Sequence, residues 1–316
     1  MKHISVVVPF HGAEPHLARC LDSLFVQRYP TWRREIIFVD NGATDEACAV
    51  VERQSSFQLI REPGPGPCAA RNAGVAVARG EIIAFTDADC AVAPDWLESI
   101  DIALSDPEVM VAVGSYIPSR DSFTASALTR YENEKNLYVF NSEDESLYYG
   151  YTNNMAVRAS AFDEIGPFPL RRRGSDVMFV RSVVERFGRE CVRYVPEMAV
   201  RHLEVRGALD YYRKLFEHSR NLRALEPITR LRPLEFNEQM DAFSRTVRGA
   251  GYNPVGAGAL FALLGVGMLF RKAGALVPGH DVDLSGDALP ARRSAPLRKD
   301  HSDGENSGDA GWSRAV

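Results

Sequence analysis

The chain has 316 residues, 45% hydrophobic and 25% charged. That composition suits a folded protein with a sizeable core, as one large domain or a domain with an appendage. A net charge of −5 argues against bulk electrostatic binding to nucleic acid, which needs a basic face. Five scattered cysteines (Cys20, Cys48, Cys68, Cys90 and Cys191) form no Cys-x-x-Cys pair. A disulfide framework or zinc site is therefore disfavoured, and a reducing cytoplasm is the expected compartment. Met1-Lys2-His3 runs into an apolar stretch too short for the core of a signal peptide, so secretion is not expected.

In chain order, Ile4 to Val8 reads as a buried strand, followed by Leu17, Leu21, Leu24 and Phe25 at helical spacing. Glu35 to Val39 is a second strand, with a helix from about Asp45. Phe57 to Ile60 is a third strand. The loop Pro63-Gly64-Pro65-Gly66 belongs to neither helix nor central strand. Pro67 to Ala78 reads as a helix with proline in its first turn, and Glu81 to Thr86 as a fourth strand. This alternation predicts an α/β fold with a mostly parallel sheet covered by helices on both faces.

From Val109 to His202 the pattern is less regular. Helical patterns return over Ala208–Leu225 and Pro233–Val247, followed by an almost wholly apolar run, Val255 to Phe270. From Pro278 the chain is polar and rich in Asp, Gly, Ser and Arg, and disorder is expected there. The domain reading is thus a catalytic unit over 1–205, a helical extension over 206–277 and a polar tail over 278–316.

In α/β sheets ligands bind at the carboxyl ends of strands. Three polar clusters follow predicted strands: Pro9-Phe10-His11, Asp40-Asn41-Gly42-Ala43-Thr44-Asp45 and Asp87-Ala88-Asp89. Asp87 and Asp89, at i and i+2 of an extended segment, face the same way. Paired carboxylates favour a divalent cation, and hard oxygen ligands suit Mg²⁺ or Mn²⁺ with substrate phosphates. The plainer reading is a solvated turn, since Asp-x-Asp is common in loops. Neither Gly-x-Gly-x-x-Gly after the first strand nor Gly-x-x-x-x-Gly-Lys-Ser/Thr occurs, which disfavours a dinucleotide dehydrogenase or a P-loop enzyme.

The ordered motifs resemble those of glycosyltransferase family 2, inverting nucleotide-sugar-dependent enzymes of the GT-A fold. Ser5 to Phe10, Cys20 to Leu24 and Gln27 to Pro30 match its opening, and Val39 to Asp45 its nucleotide-binding turn. Gly66-Pro67, Ala70 to Gly74 and Ala78 to Glu81 match the next segment. Phe85 to Cys90 match the metal motif. Asn153 to Arg158, Phe162, Ile165 to Phe168 and Ser175-Asp176 match the acceptor half. The resemblance covers roughly 3–205 and rests on the ordered set.

The resemblance implies transfer of a sugar from a nucleoside-diphosphate donor to an acceptor hydroxyl. Pro9, Phe10, Asp40, Asn41 and Arg71 would lie at the donor nucleotide, Asp87 at the ribose or metal, and Asp89 at an Mn²⁺ or Mg²⁺ ion. Asp176 would be the general base. Many relatives carry Asp at the Asn41 position; Asn can accept from a uracil or thymine N–H but can also donate, and a UDP- or dTDP-sugar is the expected donor. Many relatives have Glu-Asp where this chain has Ser175-Asp176, so the base is kept and its acidic neighbour lost. His202 falls where some relatives use a histidine near the diphosphate or metal; it reads equally as an ordinary histidine at a strand end.

At a helix start, the dipole would hold Asp176 ionised with a low pKa. Two other readings compete with transfer. A nucleotidyltransferase would need a glycine-rich basic loop after the first strand, which Pro9 to Glu14 does not supply. A non-catalytic binding module fits poorly with Asp87, Asp89 and Asp176 all present.

The run Arg171-Arg172-Arg173 reads as an anion site or as a solvated charge run. Tyr148, Tyr149 and Tyr151 read as acceptor-pocket aromatics or as core. Arg206, Arg213 and Arg220, with Lys214 and Arg223 nearby, make a basic stripe that faces anionic lipid or water. The apolar run spans 16 residues, short of the ~20 a spanning helix needs, and is read as buried or interfacial, its glycines as helix-packing positions. Stripe and run together point to peripheral membrane association.

Overall fold

The computed structural model describes residues 1–171 and 174–277, with the backbone alone over 221–229. Arg172, Arg173 and the polar tail from Pro278 lie outside the described residues. The first half is β1 (Ile4–Gly12), α1 (Leu17–Phe25), β2 (Arg34–Ala43), α2 (Asp45–Glu52), β3 (Gln58–Arg61), α3 (Pro67–Val77) and β4 (Ile82–Thr86). It continues through β5 (Cys90–Val92), α4 (Trp96–Ala103), β6 (Val111–Tyr116), α5 (Phe123–Phe140), β7 (Asn154–Arg158), α6 (Ala159–Ile165), α7 (Ser175–Phe187) and β8 (Val192–His202). Three helices close the described chain: α8 (Ala208–Thr229), α9 (Phe236–Ala250) and α10 (Pro254–Leu276).

The strands form one sheet in the order β3-β2-β1-β4-β7-β6-β8-β5. The run β3-β2-β1-β4 is parallel. Its connections run outward from β1 to β3 and then return to the other side of β1, so β1 and β4 flank the reversal of strand order where α/β sheets bind ligands. Beyond β4 the sheet is mixed. β7 is antiparallel to β4 and β6, β6 is parallel to β8, and β5 is antiparallel to β8. The alternating pattern of the first ninety residues thus describes only the parallel half; β5, β6 and β7 each pair antiparallel with at least one other strand, which the strand–helix alternation does not mark.

Both faces of the sheet's centre are covered, which is why β1, β2 and β4 carry continuous apolar runs. Ile4, Val6, Val8 and Phe10 face a core built with α1, α2 and α4. Val7, Ile37, Val39, Ile83 and Phe85 face the opposite core, built with α3, α6 and α7. Helix α3 starts at Gly66, whose φ of +90° suits glycine, with Pro67 in the first turn. It lies so close to β1 that a Cβ on Gly74 would sit 2.4 Å from Val7 Cγ1. This leaves no room for any other residue in the Ala70-Arg71-Asn72-Ala73-Gly74 segment at that point.

In the helical extension, α8 packs on α10, and α9 packs on α5. Ala127, Tyr131, Ala242 and Leu260 form a small separate core. On α10, Gly267 meets Tyr212 and Leu215 of α8, and a Cβ on Gly274 would lie 2.4 Å from the Phe216 carbonyl oxygen. Gly258 and Gly265 face open space, so only part of the glycine pattern is helix packing.

Two readings of the apolar run change. The helix spans 23 residues, because it continues through Arg271 and Lys272 to Leu276, where cations are compatible with the negative end of the helix dipole. By length and composition it is long and apolar enough to cross a membrane. Only 11% of its most apolar window is buried, and Val255, Phe261, Leu269 and Leu276 are exposed, so it is not a core helix.

Candidate active site

A cavity of about 1700 Å³ opens beside the carboxyl ends of β1 and β4, and Arg71, Asp87, Asp176 and His202 all line it. Arg71 projects from α3 and is 7% exposed. Its Nη2 lies 2.5 Å from Asp87 Oδ1, just past the end of β4. The buried cation is compensated mainly by Asp87, with Asp176 also nearby; these charges outweigh desolvation and raise the Arg71 pKa. Arg71 Nε has no hydrogen-bond partner. Asp87 is thus engaged by a protein cation.

Asp89 has different partners, because the chain turns immediately into β5. That strand pairs antiparallel with the end of β8, Cys90 opposite His202, and Leu203 N–H donates to the Asp89 carbonyl at 2.8 Å. The pairing brings Asp89 Oδ2 to 3.5 Å from His202 Nε2 across 113 residues of sequence. Asp89, Cys90 and His202 place one ligand atom each within 4.8 Å of one another. Burial, then the neighbouring Asp87, pushes the Asp89 pKa up, so its anionic form is one that a bound cation stabilises. Burial, then the Lys214 ammonium, lowers His202 to about 4. At neutral pH its imidazole is therefore uncharged, the form that binds metals.

The donor set fits a divalent ion in part. Asp89 offers a hard oxygen and His202 an imidazole nitrogen, both suited to Mn²⁺. Cys90 does not fit: burial and Asp89 raise its pKa well above the ordinary thiol value. Its Sγ lies 3.4 Å from Asp89 Oδ1 as a hydrogen-bond donor. Asp87 falls outside this group, being spent on Arg71, so the equal facing of Asp87 and Asp89 does not survive the turn into β5.

Asp176 is the second residue of α7, whose N-cap is Gly174. Its carboxylate accepts from Thr152 N–H at 3.3 Å and from its neighbour Val177 N–H at 3.0 Å. Its pKa is nevertheless raised, because burial outweighs Arg71 and these amides. The low value inferred from the helix dipole is corrected: the dipole acts on a carboxylate that the protein also desolvates.

Of the residues assigned to the nucleotide, Pro9, Phe10, Asp40 and Asn41 lie at the neighbouring ends of β1 and β2 and do not line the cavity, whereas Arg71 does. Phe10 pairs in register with Asp40 and Pro9 with Val39. The Phe10 ring is core, edge-on to Phe38 at 6.1 Å, so a contribution to a nucleotide pocket there falls to the backbone. Asp40 Oδ1 accepts from Gly42 and Ala43 N–H at 3.0 and 2.7 Å and closes the turn. Its Oδ2 lies 3.5 Å from Arg61 Nε. Asn41 donates both amide hydrogens, to Glu62 O at 2.8 Å and Gly64 O at 2.7 Å. That leaves its Oδ1 as the group able to accept.

Several motif residues are architectural. Asn72 bonds both the N–H and the carbonyl of Phe168. Asn154 ties Trp96 Nε1 to Ser115 O and Met198 O. Tyr148 is core, its hydroxyl donating to Phe140 O and Ser142 O, whereas Tyr149 and Tyr151 line the cavity. The basic stripe turns inward in part: Arg206, Arg213 and Lys214 line the same cavity. The sequence marks Lys214 only as a neighbour of the basic stripe, and no motif or spacing marks Glu204.

The glycosyl transferase family 2 model matches residues 5–176. Glycosyltransferase AglE of Haloferax volcanii is 29% identical over 188 residues, 58% of this chain and 61% of that protein. The uncharacterized glycosyltransferase YibD of Escherichia coli is 34% identical over 109 residues, 33% of this chain and 31% of that protein. The matches thus span less than two thirds of these relatives. A mannosyltransferase of Pyrobaculum calidifontis, solved with GDP-Man and Mn²⁺, superposes with a TM-score of 0.59 at 19% identity, covering 87% of this chain and 84% of that one. TarS of S. aureus, residues 1–349, gives 0.51 at 16% identity, covering 87% and 90%. The fold is that of these GT-A enzymes, and by sequence the chain belongs to glycosyl transferase family 2.

Proposed function

We propose that the protein transfers a sugar from a nucleoside-diphosphate donor to an acceptor hydroxyl, with inversion at the anomeric carbon. The observation that carries this reading is the convergence of Arg71, Asp87, Asp176 and His202 on one cavity, with Asp89 against His202. Asn41, with both donors occupied, accepts from the base. Uracil, thymine and guanine each offer a ring N–H; UDP- or dTDP-sugars are the first donors to test, and GDP-sugars follow from the mannosyltransferase likeness. Asp89 and His202 would hold Mn²⁺ or Mg²⁺; the bound ion supplies Lewis-acid stabilisation of the charge on the departing diphosphate. Arg71 holds Asp87 in place. Asp176 takes the proton of the attacking hydroxyl, and its raised pKa makes it a stronger base than an exposed aspartate. Attack from the face opposite the diphosphate inverts the sugar.

A donor bound to the folded state stabilises it, by ~2.7 kcal/mol at a concentration 100 times its dissociation constant. One nucleotide sugar in a panel with Mn²⁺ should therefore raise the melting temperature by several degrees, and the protein should release its nucleoside diphosphate. Asp89→Ala should lose the Mn²⁺-dependent part of the shift. A panel without any stabilising donor or diphosphate release would overturn the reading.

A further inference from the structure

Lys214, in the second turn of α8, reaches into the Asp89–His202 cluster. Its Nζ lies 2.6 Å from His202 Nε2, 3.1 Å from Glu204 Oε2 and 3.9 Å from Asp89 Oδ2. An ammonium can only donate a hydrogen bond, so Nε2 is the acceptor and the imidazole proton sits on Nδ1. That Nδ1 is buried without a partner. The sole lone pair with which Nε2 can bind a cation is therefore directed at Lys214.

We propose that Lys214 is a tethered cation that competes with the divalent ion for the Asp89–His202 site. The idea rests on the metal role proposed for those two residues. One nitrogen lone pair serves one cation, so the ammonium must leave Nε2 for an ion to bind there. Glu204, already at 3.1 Å, holds the ammonium after it leaves. The barrier to metal entry is thereby built into α8, which also lines the cavity through Tyr211, Arg213 and Leu215. An ion entering without substrate meets a competing charge. A donor diphosphate brings negative charge that suits both cations together, so metal and donor bind cooperatively.

The test is Mn²⁺ binding to the donor-free protein at fixed pH and ionic strength, read from the electron paramagnetic resonance of free Mn²⁺. Lys214→Met keeps a long apolar stem and removes the charge. It should tighten Mn²⁺ binding by about tenfold or more, as expected for removing a unit charge a few ångströms from a dication. Lys214→Arg, which retains the charge, should stay much closer to the parent. Arg245→Gln, which removes an exposed cation that pairs with Asp241 on α9 and does not line the cavity, should leave the affinity within about twofold, since exposed charges are screened by solvent and salt. Parental Mn²⁺ binding that is abolished by Asp89→Ala but unchanged in Lys214→Met overturns the competition and leaves the metal site standing. Absence of Mn²⁺ binding in both the parent and Lys214→Met overturns the metal reading and this inference with it.

Discussion

Asp176 is the residue on which the proposed chemistry turns. It stands in the first turn of α7, where a carboxylate also serves the helix. Asp176→Asn separates the two roles, because asparagine can sit in a first turn but cannot take a proton. Stability should change by less than ~1 kcal/mol, while transfer should fall by roughly 10²–10⁴-fold and donor affinity should hold within a few-fold. Near-parental turnover by a stable variant would move the base elsewhere. The pH profile should follow the same group. A base must be ionised, so its raised pKa shifts the acid limb of kcat/KM above the usual aspartate range. Loss of activity with falling pH should therefore begin earlier than for an exposed aspartate.

Among the elements, α9 is held by a charged knot that the periodicity of its sequence does not reveal. Arg232 donates to both oxygens of Glu238 at 2.8 Å and to Asp144 Oδ2 at 2.7 Å. Glu238 also completes a capping box with Glu235. Arg232 lowers the Glu238 pKa to about 2, from an ordinary 4.5. A depressed acid contributes stability that is complete above its unfolded pKa and is lost as pH falls toward the folded value. Glu238→Gln should cost about 1–3 kcal/mol at pH 7. The gap between parent and variant should narrow as pH drops from about 4.5 toward 2, measured by urea unfolding. A gap independent of pH over that window would mean that the knot contributes by packing alone.

At the scale of the whole molecule, the helical extension combines cations turned toward the cavity with an apolar face turned outward. Arg213 and Lys214 line the cavity, while Val255, Leu269 and Leu276 of α10 are exposed. We propose that residues 208–277 govern peripheral association with a membrane, the exposed face of α10 entering the headgroup boundary. The protein should sediment with anionic liposomes at low salt, and Val255→Glu with Leu269→Glu, both exposed, should abolish this while leaving the fold intact. Failure of the parent to sediment would sink the proposal.

Much of the parallel half is legible in the sequence, because apolar runs and helical spacing are local. Ile4 to Val8, Glu35 to Val39 and Pro67 to Ala78 all fall within or almost coincide with observed elements. Asp87 and Asp89 are visible as polar residues after a strand and Asp176 at a helix start, whereas Arg71 is marked only by the family resemblance. What the residues did there was decided by tertiary structure. The antiparallel pairing of β5 with β8 sets Asp89 against His202, while Asp87 pairs with Arg71. Burial reverses the effect expected of a helix dipole at Asp176. The packing of α8 beside the cavity delivers Lys214. Each of these depends on segments distant in sequence meeting in low-dielectric surroundings, where a neighbouring charge outweighs local pattern.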